Sequence, residues 1–126
     1  MQDSIDKDPA LAIGSAKEFV ESLCKGILST RKVPMTGNET LPSLVTMARE
    51  ALGLRVNPKT DTTLKSALGA LGTLTNSIAE LRGQLGTGHG GTPDTAQPPV
   101  AVARLAVSVA TALGVFLWEM HRSRPS

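Results

Sequence analysis

The chain has 126 residues, 40% of them hydrophobic and 19% charged, with a mean hydropathy of +0.01. That is the make-up of one globular domain, and it excludes a disordered or fibrous chain. A net charge of +2 with no basic run longer than Arg31-Lys32 permits an anionic partner but excludes a polybasic nucleic-acid tail.

The opening MQDSIDKDPALAIG is acidic where a secretory signal would be basic, and it carries no lipidation motif. The single cysteine, Cys24, excludes an internal disulfide framework and fits a reducing compartment, so a cytoplasmic location is expected. Asp8-Pro9 then offers an N-cap followed by proline at the first helical position. A helix is predicted from there to about Thr30, with Leu11, Phe19, Val20, Leu23, Cys24, Ile27 and Leu28 at three- and four-residue steps. The stretch Arg31–Thr40 contains Pro34, Gly37 and Asn38 and reads as a loop. A shorter helix follows over Leu41–Leu52, with Gly53 at the place of a C-terminal cap.

The third predicted helix has the clearest period: Leu64, Leu68, Leu71, Leu74, Ile78, Leu81 and Leu85, with Thr60 or Asp61 as its cap and Gly86 as its stop. Gly69 and Gly72 within it weaken the helix but let a neighbour approach closely. A Gly/Pro-rich loop leads to a last helix over about Val100–Met120, its apolar positions being Leu105, Val109, Leu113, Phe116, Leu117 and Met120. Arg104 leaves an uncharged run of only Leu105–Trp118, about 21 Å as a helix against a hydrocarbon core of about 30 Å, so a buried core helix is expected and no membrane. No stretch alternates as a strand should. The fold class expected is therefore all-α: an antiparallel bundle of about four helices, built mostly by the first, third and fourth. It forms a single domain over residues 8–121, with flexible tails at 1–7 and 122–126.

Few groups here can carry chemistry. Phosphate-loop, zinc-protease and esterase motifs are absent, and His89 and His121 supply no metal-ligand spacing, so no metal and no cofactor are expected. With one Trp, two Phe and no Tyr, base stacking is not the main recognition device. Cys24 sits on an apolar face and reads as an inert buried thiol. What remains is Leu81-Arg82-Gly83-Gln84-Leu85-Gly86-Thr87-Gly88-His89-Gly90-Gly91, an arginine on the last turn of a long helix and a histidine just beyond it. Arg brings a permanent planar fork suited to phosphate, and His can move a proton near neutral pH. The same residues also suit a capping arginine and a solvated histidine. Arg104, interrupting an apolar stretch, is a candidate RNA contact or a solvated helix-end side chain.

Asp8-Pro9-Ala10-Leu11-Ala12-Ile13-Gly14-Ser15-Ala16-Lys17-Glu18, then Glu21-Ser22 and Lys25-Gly26-Ile27-Leu28, resembles the opening of the abortive-infection C-terminal domain family of the HEPN superfamily. The resemblance resumes at Leu81-Arg82, at His89-Gly90 and from Ala103-Arg104-Leu105-Ala106-Val107 to Phe116-Leu117. It covers about residues 8–120 and departs from the family at Gly83, where a polar residue is usual. It implies a helical bundle that forms a homodimer, and a metal-independent endoribonuclease of phage-defence or toxin–antitoxin type acting on RNA. Arg82 would then bind phosphate and His89 transfer protons, with an antitoxin or an N-terminal sensor region as further partners. The alternative is a non-catalytic module for dimerisation or for binding a nucleotide or RNA. Families of this kind often carry a further region ahead of the domain, so the chain is either stand-alone or part of a longer protein.

Overall fold

A computed structural model describes residues 7–53, 58–85 and 98–124, and side chains within the third helix as far as residue 80. Among the described residues there are four helices and no strand: α1 Pro9–Thr30, α2 Leu41–Leu52, α3 Pro58–Leu85 and α4 Val100–Ser123. The protein is all-α, as its periodicity predicts.

Local chemistry explains most of the boundaries. The Asp8 carboxylate accepts the Leu11 N–H at 3.0 Å, and Pro9 opens α1 with its φ already helical. At the other end the Lys32 N–H donates to the Ser29 carbonyl at 3.1 Å and the Val33 N–H to the Leu28 carbonyl at 2.9 Å. This two-bond closure needs a left-handed residue, and Lys32 occupies that position at φ 60°. The Glu39 carboxylate folds the following loop, accepting the N–H of Thr36 at 2.6 Å and of Gly37 at 3.0 Å. These bonds hold the Glu39 carboxyl below its ordinary pKa. Thr40 caps α2 through its hydroxyl, and Gly53 ends it in the left-handed region at φ 61°. The third helix begins at Pro58, so Thr60 and Asp61 lie inside its first turn and do not cap it. Its predicted stop at Gly86 lies outside the described residues. α4 runs past Met120 to Ser123.

Packing is richest between α1 and α4. Ala12, Ile13, Ala16, Val20, Cys24, Ile27 and Leu28 of α1 face Ala103, Ala106, Val107, Ala110, Leu113 and Leu117 of α4 across one core. The alanines on both sides bring the two axes close. Phe19 lies over Gly114, and Arg31 meets His121, so the two helices run in the same direction. The short α2 buries Leu41, Leu44, Val45, Ala48 and Leu52 and packs on both α1 and α3, a larger share of the core than its length suggests. Gly72 of α3 comes against Val45, whereas nothing approaches Gly69.

Not every apolar residue expected inside is there. Leu11 is 55% exposed, Phe19 38%, Leu74 37% and Leu105 47%. Leu11 and Leu105 fall on the far side of the helical wheel from the alanine-lined faces. Tight α1/α4 contact is made by the small residues, and the large ones are displaced outward.

Candidate functional site

Arg82 lies in the last turn of α3, two positions into the segment whose side chains are outside the described residues; His89 lies outside them altogether. The backbone thus places Arg82 at the C-terminal end of a 28-residue helix, with the chain that carries His89 leaving directly from it. Arg104 is in the second turn of α4, on its exposed face, one residue from Ala103 in the core.

The other histidine, His121, given no role by its spacing, has partners in the structure. The Arg31 Nε donates to His121 Nδ1 at 3.2 Å, and Nη2 donates to the carbonyls of His121, at 3.4 Å, and of Arg124. Arg124 in turn donates from Nη1 to the Gly53 carbonyl at 2.9 Å. The His121 ring also lies 5.5 Å from the Trp118 ring. The cluster joins the ends of α1, α2 and α4 through backbone carbonyls, which is the chemistry of capping rather than of catalysis. No local sequence signal could have revealed a pair separated by 90 residues.

Cys24 is fully buried, and burial, with a smaller contribution from Glu21, pushes its thiol up to about 12. It therefore stays protonated and cannot serve as a nucleophile at neutral pH. Among the described residues, no three His, Cys, Asp or Glu side chains converge to hold a metal ion. Among the described residues the surface carries an apolar groove, of about 510 Å³, between α1 and α4, lined by Phe19, Leu23, Val115 and Trp118 and bordered by Glu119 and Arg122.

Against this geometry, a family model described as a HEPN-like domain matches residues 1–121, nearly the whole chain. No curated protein and no solved structure matches it.

Proposed function

The chain belongs to the HEPN-like family of abortive-infection C-terminal domains, and from that premise we propose that it is a metal-independent endoribonuclease whose site is shared by two copies. Membership ties it to abortive infection; the cleavage chemistry is our reading of Arg82 and His89. The observation that supports it is Arg82 at the end of α3, with His89 on the segment that leaves that helix.

In this mechanism His89 of one subunit takes the proton from a ribose 2′-hydroxyl, and the oxygen attacks the adjacent phosphorus. The bond to the 5′-oxygen breaks as the partner subunit's His89 returns a proton to it. Both Arg82 guanidiniums hold the extra negative charge of the phosphorane in bidentate fashion. The products are a 2′,3′-cyclic phosphate and a free 5′-hydroxyl. DNA lacks the nucleophile and is inert.

Cleavage of a defined RNA set in EDTA, resolved on gels, tests this directly. Wild type should cut, while His89→Ala should lose about 10²–10⁴-fold in rate with its helical circular dichroism intact. Arg82→Lys should lose most activity as well, since a point charge cannot replace the fork. Equal behaviour of wild type and His89→Ala would refute the nuclease. RNA binding without turnover would instead favour a non-catalytic module, the reading to which Gly83 beside Arg82 lends weight.

A further inference from the structure

We infer that the groove between α1 and α4 is a binding site for a zwitterionic amphiphile, a molecule with one apolar chain and a head group bearing both charges, taken up singly from solution. The inference is independent of the nuclease reading and draws on neither Arg82 nor His89.

The groove begins at a residue without a side chain. Phe19 lies over Gly114, where a Cβ would stand 2.4 Å from the ring and 3.3 Å from Leu23. Along α4, Val115, Trp118, Glu119 and Arg122 then follow within two turns, so this side of the helix passes from apolar to charged. Phe19, Leu23, Val115 and Trp118 wall the apolar part, of about 510 Å³, a volume in the range of small-molecule sites. At Glu119 and Arg122 it continues into a second hollow of about 430 Å³, which these two residues line together with Ser123. Phe19, Val115 and Trp118 leave 38–47% of their surface in water, apolar area that a ligand would cover.

The rim decides the head group. Glu119 and Arg122 carry opposite charges three positions apart. Among the described residues, the side chain of neither takes part in an ion pair or a hydrogen bond. An anion would gain Arg122 and meet Glu119; a cation would gain Glu119 and meet Arg122. A zwitterion satisfies both, its cationic group on the Glu119 carboxylate and its anionic group on the guanidinium. The apolar chain then lies back along the groove, between Phe19 and Trp118. A bilayer pressed onto this face would have to take in Glu119 as well, whereas a single molecule leaves that carboxylate in the wet hollow.

Trp118 is the one tryptophan of the chain, so its emission reports on the groove. Dodecylphosphocholine, titrated into the full chain below its micellar concentration, is expected to give a saturable blue shift with a Kd of about 10–100 µM. Dodecyltrimethylammonium and dodecyl phosphate, each with one sign of charge, should bind about tenfold more weakly. Glu119→Gln should erase the preference over the phosphate, and Arg122→Gln the preference over the ammonium, a reversal that a merely structural role would not produce. Val115→Phe, filling the groove from an exposed position, should abolish the shift with circular dichroism unchanged. A shift that never saturates, equal binding of the three head groups, or indifference to Val115→Phe would mean an adventitious additive only and overturns the proposal. Flotation with phosphatidylcholine vesicles without binding of the monomeric probe assigns the face to a bilayer and also overturns it. So does a shift that weakens as protein concentration rises, because a second copy then fills the groove.

Discussion

Lys32 is the one described non-glycine residue with positive φ, and it sits where a helix ending in this two-bond closure ordinarily has glycine. A side chain there costs about 1–2 kcal/mol. Among the described residues no hydrogen bond or ion pair engages the Lys32 side chain, so Lys32→Gly should raise stability by about 1 kcal/mol in urea unfolding; a loss would mean that the lysine side chain holds something the bonds around it do not show. Glu39, a few residues on, turns the loop with its carboxylate, helped by the Thr36 hydroxyl, which accepts the Asn38 N–H at 3.2 Å. Its folded pKa is depressed, so its contribution is present above the unfolded value and fades as pH falls through the folded one. Neither detail was legible in sequence, because Lys32 and Glu39 carry no marker of the backbone they must adopt. The inertness of Cys24, in contrast, was readable from its neighbours Leu23 and Ile27, and its burial bears that out.

The helices themselves were legible almost to the residue, since Asp8-Pro9 and Gly53 announce two of the ends by their own chemistry, while the Thr40 cap of α2 emerged only in the structure. The start of α3 was misjudged because Thr60 and Asp61 look like caps, while Pro58 supplies the better first turn. Which apolar residues turn inward was harder. Periodicity cannot tell a leucine that packs from one displaced by alanines that pack more closely, as at Leu11 and Leu105. Glycines show the same dependence on context. A Cβ at Gly114 would lie 2.4 Å from the Phe19 ring, whereas one at Gly26 would meet nothing. Gly26→Ala should therefore stabilise by about 0.5–1 kcal/mol through helix propensity. Gly114→Ala should lose about 1 kcal/mol as Phe19 is pushed out, and combining it with Phe19→Ala should restore the propensity gain. Thermal melts of these variants decide the matter; equal gains at both glycines would show that the ring yields freely.

At the scale of the whole molecule, the sequence foresaw the fold class, and the family match supports it. The proposed site was legible only as a motif, Arg82 and His89, because chemistry-bearing residues announce themselves by type. The corner that ties the bundle shut was not, since Arg31, His121, Arg124 and Gly53 meet only through tertiary folding. Arg31→Met removes donors from two backbone carbonyls and from His121, and it should cost about 1–3 kcal/mol of stability by urea unfolding while leaving helix content intact. A change below about 0.5 kcal/mol would mean that water replaces the guanidinium there without loss. The same corner bears on the field around the protein. Since α1 and α4 run together and α2 ends beside them, three helix dipoles deliver their negative ends to one pole, each worth roughly half an elementary charge. Arg31 and Arg124 are drawn there to neutralise it. Two of the cations behind the formal net charge of +2 are thus already spoken for by the protein's own backbone. Helix dipoles carry no net charge, so the overall +2 stands, but the attraction this pole offers a polyanion is weaker than its two arginines alone would give.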